Sequence, residues 1–374
     1  DGKTLAAAGS DGHIRFLDAN TGKELNKLQP APLSEPGQQI AQPGNASGIN
    51  EVNFEIETLP KGFKLERLII EPQEIQLTGA SDYAQLLVTA QLNNGARADV
   101  TRIVKLSTQG DVANASLRGQ ITPKKDGAGL VTVELAGLKA TAKVSVQGIG
   151  TKRKIDYVRD VMPVLSKLGC NQGTCHGSKD GKNGFKLSLR GYDPLYDVRA
   201  FTDELASRRV NIASPSDSLM LLKATGAVPH EGGQVTPAGS KYYRILHEWI
   251  ANGAKLDLDT SRVTAIEVSP KNPVIQNIDG KQQVRIVATY ANGEKRDVTA
   301  EAFIESGNTD VAKTDDTGLI TVERRGEAAI LARFEGAYAA TTVTAMGDRT
   351  GFTWNQPESW NEIDRFTANK WERM

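Results

Sequence analysis

Cysteine is nearly absent from this chain. There are two in 374 residues, both in one polar, glycine-containing loop, so no disulfide framework holds the fold together. Net charge is absent as well: 45 Lys+Arg balance 45 Asp+Glu, leaving no global field to gather nucleic acid or anionic lipid. No stretch approaches the roughly 20 apolar residues of a membrane-spanning helix. Aromatic residues make up only 6% of the chain. There is no initiator Met and no signal-like apolar segment before Asp1, which reads as a mature form or a fragment. Also missing are a phosphate-cradling glycine loop, a G-x-S-x-G elbow, an H-E-x-x-H helix and, around Asp180–Asn183, the ligand alternation of an EF-hand. With four histidines and no catalytic set, the chain reads as a non-enzyme, any catalytic domain lying outside it.

What is abundant is glycine, 36 residues, which suits turn-rich β modules. The length fits two to four domains at roughly 100–200 residues each. Residues 1–28 hold short apolar strands at 5–8 and 14–17, set off by turn signals at Asp11-Gly12 and from Asn20 to Gly22. The pattern G-S-D-G-x-I-x-x-x-D there resembles the end of a WD-type propeller blade. One blade cannot bury its faces alone, so the resemblance implies a remnant. Residues 29–64, rich in Pro, Gly, Gln, Ala and Asn, read as a linker.

Two later segments repeat one another. LLVTAQLNNGARADVT (86–101) and VRIVATYANGEKRDVT (284–299) each alternate, turn at Asn-Gly and continue into Asp-Val-Thr. Each is followed by paired strands around a further glycine, at 129–148 and 326–347. Asn-Gly between alternating strands is a hairpin signal, because both positions accept positive φ. Strands at this spacing predict β-sandwiches over 65–148 and 259–347. Their details resemble bacterial Ig-like domains of group 2, a family of extracytoplasmic spacer and adhesive modules.

Between them, over 149–258, the period changes. Ile155, Val158, Val161, Val164 and Leu165 fall at helical spacing, with Pro163 suited to an early turn. Tyr242, Ile245, Leu246, Trp249 and Ile250 share one face of a second helix that stops at Gly253. Between the helices stands Cys170-Asn-Gln-Gly-Thr-Cys175-His176. Two thiols followed at once by histidine is the chemistry of c-type haem attachment, in which the thiols add to the vinyl groups and the histidine ligates iron. The four-residue spacer is longer than the usual two, so the loop must bulge, with Gly173 as the permissive residue. From the motif alone a local disulfide and a metal site stay open, although no second Cys pair completes a structural zinc site.

The runs at 169–194, 208–234 and 242–254, taken together, resemble the cytochrome c domains of large planctomycete-type proteins, over roughly residues 155–255. The resemblance implies a small all-α cytochrome c domain carrying one haem c, attached at Cys170 and Cys175 with His176 as proximal ligand. His230, in the Pro- and Gly-flanked loop before the last helix, is the expected distal ligand. Met220 is the rival and reads as core. Arg208, Arg209 and Trp249 are candidate propionate contacts. His247 should be exposed. Residues 348–374 end in a helical run whose Asn361-Glu-Ile-Asp-Arg-Phe resembles the opening of a further domain.

The expectation is therefore a mainly β, multidomain, extracytoplasmic c-type cytochrome. It would transfer electrons to a redox partner protein, bind no nucleic acid and have the capacity to self-assemble. The alternatives are a structural or adhesive surface protein with a Cys170–Cys175 disulfide, and an open-site haem sensor or peroxidase-like protein.

Overall fold

The computed structural model describes residues 3–8, 14–28, 57, 64–151, 154–347 and 352–373. The chain divides into two compact units, 1–55 and 56–374. In the first, Thr4–Ala8, Ile14–Asp18 and Glu24–Leu28 form an antiparallel meander in sequence order. The Asp18 carboxylate closes the second turn by accepting from Asn20 N, Thr21 N and Thr21 Oγ1. The linker expected at 29–64 lies almost wholly outside the described residues.

The second unit contains the two repeats, and their sheets match strand for strand. In the first repeat, Leu65–Glu71, Leu87–Leu92 and Arg97–Asp99 form one sheet in that order. The facing sheet runs Glu74–Thr78, Leu138–Gln147, Gly127–Leu135, Lys105–Gln109, its first pair parallel. The second repeat has Val263–Ser269, Arg285–Tyr290, Lys295–Asp297 facing Val274–Ile275, Ala337–Ala345, Gly326–Phe334, Phe303–Ser306. Period-2 alternation sets which side chains face inward. Leu86, Val88, Ala90 and Leu92 are fully buried, as are Val284, Ile286 and Ala288. Each large aliphatic removed from water this way stabilises by about 1.5–3 kcal/mol.

The Asn-Gly hairpins differ from the expected two-residue turn. Only the glycines take positive φ, +81° at Gly95 and +83° at Gly293. Gly95 N donates to Leu92 O and Leu92 N to Ala96 O, and Gly293 and Tyr290 repeat the pattern. This is the longer loop in which a type I turn is followed by a left-handed glycine. Asn94 and Asn292 instead accept from the backbone N–H two residues on.

The sandwiches also clasp each other reciprocally. Asp99 Oδ1 accepts from Thr101 N and Oγ1, while Thr101 Oγ1 accepts from Val88 N. Asp297, Thr299 and Ile286 do the same. The remaining carboxylate oxygens cross between repeats: Asp99 Oδ2 accepts from Gln283 N at 2.6 Å, and Asp297 Oδ2 from Gln85 N at 2.9 Å.

The intervening segment corrects the expected fold class, because it is not a separate all-α domain. It holds a π-type turn at Tyr157–Val161 and four short helices: α1 (Met162–Lys167), α2 (Pro194–Thr202), α3 (Leu219–Ala224) and α4 (Lys241–Ala251). Two short 3₁₀ turns, Leu189–Gly191 and Pro215–Asp217, are joined to these by loops, among them the stretch around Lys179–Gly184, built of Lys, Asp, Asn and Gly. α4 behaves as read from sequence: Ser240 caps it by accepting from Tyr243 N, and Gly253 ends it at φ +94°. Tyr157, Val161, Val164, Phe201, Leu246, Trp249 and Ile250 form the segment's own core.

Polar contacts bind that core to both sandwiches. Buried Glu301 accepts from Tyr83 Oη at 2.5 Å and from Lys241 Nζ at 2.7 Å. Arg296 lies 3.5 Å from Asp160, and Lys167 Nζ donates to Ala302 O and Asp316 O. Burial opposes ionisation of Glu301, but Lys241 and Arg296 outweigh it and hold its pKa below the usual value. At the far end, Glu362–Arg373 forms α5.

Candidate functional site

After α1 the chain reverses at Gly169, φ +78°. Gly169 supplies the left-handed residue, where the sequence pointed to Gly173. The six residues from Cys170 to Cys175 fold into consecutive turns: Gln172 N donates to Gly169 O, Cys175 N to Gln172 O, and His176 N to Cys170 O at 3.0 Å. The longer spacer is thus coiled up, and both cysteines and His176 reach the same space. Gly177 is packed so tightly that a Cβ there would lie 2.1 Å from Asn171 O. Cys170 and Cys175 are both free. Burial, reinforced by neighbouring Cys175, pushes the Cys170 thiol up to about 12, so it stays protonated.

These residues open onto a cavity of about 930 Å³, whose lining also includes Phe185, Phe201, Met220, Lys223 and His230. His176 and His230 both line it, ring centroids 6.5 Å apart and planes within 7° of parallel. His176 Nδ1 lies 3.0 Å from Phe185 O, and His230 Nδ1 lies 2.8 Å from Gly233 O. A carbonyl can only accept, so each Nδ1 is the donor, and in the neutral ring Nε2 then holds the lone pair. Burial lowers the pKa of His176, the Phe185 carbonyl opposing and nearby cations assisting. This favours the neutral, ligating form.

His176 and His230, held near parallel and each bonded through Nδ1 to a backbone carbonyl, are the residues that would hold the iron of a haem. The apolar walls and the two sulfurs on one side fit the same group. Haem c is compatible with the residues present. A bare ion finds less: among the described residues no three His, Cys, Asp or Glu gather as a metal would require.

The other expected contacts are distributed unevenly. Arg208 is exposed and lines the cavity. Arg209 is buried and committed, donating to Ala200 O, Glu204 and Gly184 O with its guanidinium over Phe185. Trp249 is buried in the core and donates to Lys255 O. Met220 is half-buried at the cavity wall, and His247 is half-buried against Ser216 Oγ at 3.3 Å. Sequence reasoning missed Phe185 and Lys223, which no motif marks.

No family model matches the chain. Among curated proteins, Intimin of Citrobacter freundii is 22% identical over 385 aligned residues, covering 96% of this chain. The chain spans 38% of that relative's length. Among solved structures, domains 5–6 of the S-layer protein SbsC cover 76% of this chain at 11% identity and TM-score 0.31. Domains 1–6 of the same surface layer protein cover 92% at 8% identity and TM-score 0.22.

These findings overturn the reading of the chain as an electron-transferring c-type cytochrome of planctomycete type. The curated match is Intimin, and no cytochrome family model answers to the sequence. The cytochrome description and the WD-repeat relationship fall with it, and no comparison supports a redox partner or a haem. The extracytoplasmic address stands: the protein is periplasmic or at the cell surface. Among the described residues no helix is long and apolar enough to cross a membrane.

Proposed function

We propose that this chain is a structural or adhesive element of the cell surface. Its two Ig-like sandwiches and the segment between them act as one stiff module that self-associates or engages other surface proteins. The observation that carries this reading is the reciprocal Asp99–Gln283 and Asp297–Gln85 clasp, reinforced at Glu301. It joins domains that would otherwise hang as beads into a spacer. The likeness to Intimin along nearly the whole chain supports the same reading. The test is twofold: sedimentation of the purified chain over rising concentration, and attachment of cells with and without the gene. Concentration-dependent assembly, or loss of attachment on deletion, is expected. A chain that stays monomeric and whose loss leaves attachment and envelope unchanged would sink the proposal.

A second reading concerns the cavity alone, and the parallel His176–His230 pair favours it. In it Cys170 and Cys175 would attach one haem c, and His176 and His230 would hold its iron. Arg208, exposed at the cavity wall, would be placed to meet a propionate. Iron in such a group supplies the colour and the ligand-binding chemistry, and the chain supplies the clamp. The check is the visible spectrum of protein matured outside the cytoplasm, oxidised and reduced, after acid–acetone extraction. A retained haem band insensitive to carbon monoxide is expected. A colourless protein from a haem-competent host would remove the cofactor and leave the surface reading untouched.

A further inference from the structure

The loop that carries His230 is fastened at its two ends by backbone bonds. Val228 N donates to Leu222 O, and Val235 N and Thr236 N both donate to Ala224 O. Its tip, residues 229–233, has an internal bond from Gly233 N to His230 O and the His230–Gly233 side-chain contact. Among the described residues, one hydrogen bond ties that tip to the rest of the protein: Lys223 Nζ donates to Pro229 O at 2.7 Å. Lys223 stands on α3, lines the same cavity and is half-buried there.

We propose that Lys223 is the positioning residue of the site. It holds the peptide before His230 so that this imidazole stays parallel to His176. The inference rests on the haem reading of the cavity above. The tip is otherwise poorly anchored, because Glu231, Gly232 and Gly233 are exposed and Gly233 takes φ +66°. A glycine is also needed at 232, where a Cβ would lie 3.0 Å from the His230 ring. Pro229 fixes its own φ, so a bond to its carbonyl constrains the direction in which the chain enters His230. An ammonium donating to a carbonyl is a charge-assisted bond, stronger than a neutral one.

The experiment uses the full chain matured outside the cytoplasm, as parent, Lys223→Met, Lys223→Arg and His230→Ala. Two rates are measured: cyanide association with the oxidised protein, and amide exchange at residues 231–233. Lys223→Met should raise both roughly tenfold, the worth of one such bond, while thioether attachment persists. Lys223→Arg should restore both, because it still donates. Unchanged rates in Lys223→Met, with His230→Ala fast in cyanide, would overturn the proposal. If the parent is colourless, the haem reading fails by itself. Exchange at 231–233 in the colourless proteins then decides Lys223 alone, equal rates in parent and Lys223→Met sinking it.

Discussion

Asp297 takes from Gln85 what Asp99 takes from Gln283: a backbone N–H presented by the other sandwich, at 2.9 and 2.6 Å. Each aspartate meanwhile holds its own Thr two residues on. One residue type thus closes a local turn and a domain junction together. Replacing either aspartate by alanine strands several buried donors, and Asp297 also balances Arg285 at 2.8 Å. We expect each variant to lose about 2–4 kcal/mol in urea denaturation. A loss within error of zero would mean that the junction is held elsewhere.

Glu335 gives the chain a pH dependence of definite sign. Its side chain is buried in the Phe334–Gly336 turn region, and burial raises its pKa to about 7, against the pull of Val263 N, Arg262, Arg296 and Arg159. The folded state therefore binds a proton more tightly than the unfolded state. This contribution favours folding at low pH and is lost as pH rises from the ordinary carboxylate range through about 7. Glu335→Gln should flatten the decline in stability between pH 5 and pH 8 by up to about 3 kcal/mol, measured by denaturation at each pH.

Gly177 is a steric prediction, since its φ is not left-handed and only space forbids a side chain. Gly177→Ala sets a Cβ against the Asn171 backbone, which cannot yield as a flexible side chain could. A cost of about 1–3 kcal/mol is expected. The loop of Cys170, Cys175 and His176 should loosen, read as faster exchange of the His176 and Leu187 amides, which are bonded to Cys170 O and His176 O.

Glu301 is expected to decide how many transitions the second unit shows on unfolding. With Tyr83 from one sandwich and Lys241 from α4 on the same carboxylate, the parent should melt as one unit in calorimetry. Glu301→Gln removes the charge that Lys241 and Arg296 balance and should split the melt in two. One unsplit transition in the variant would show that apolar packing alone couples the parts.

The two sandwiches were legible because hydrophobic alternation and an Asn-Gly turn are local signals, and here both occur twice. The turn type was not, since Asn94 and Asn292 can take either conformation and the strand twist chooses. The separate all-α domain failed for a physical reason. The helical periods at 155–165 and 242–250 are real, but they account for only the π-type turn, α1 and α4, and these same elements are tied to the sandwiches through Asp160, Lys167 and Lys241. At the candidate site, Cys170, Cys175, His176 and His230 could be read because rare residue types stand close to turn formers. Arg209 and Trp249 could not be placed, because whether a cation or an indole faces a cavity depends on carbonyls such as Gly184 O and Lys255 O that only the fold brings near. The crossing oxygens of Asp99 and Asp297 were invisible for the same reason.

The clasp between the repeats has the form of a twofold dimer interface, the same patch used on both sides, except that here one chain supplies both subunits. Residues 149–258 are then the tether, and a tether of this kind sets the local concentration of one sandwich around the other at roughly millimolar. The same pairing is therefore more favourable within this chain than it would be between free molecules. Cutting the tether, for example by proteolysis in an exposed loop around Lys179–Asn183, would convert a fixed hinge-free module into two halves whose association depends on how many copies share the surface.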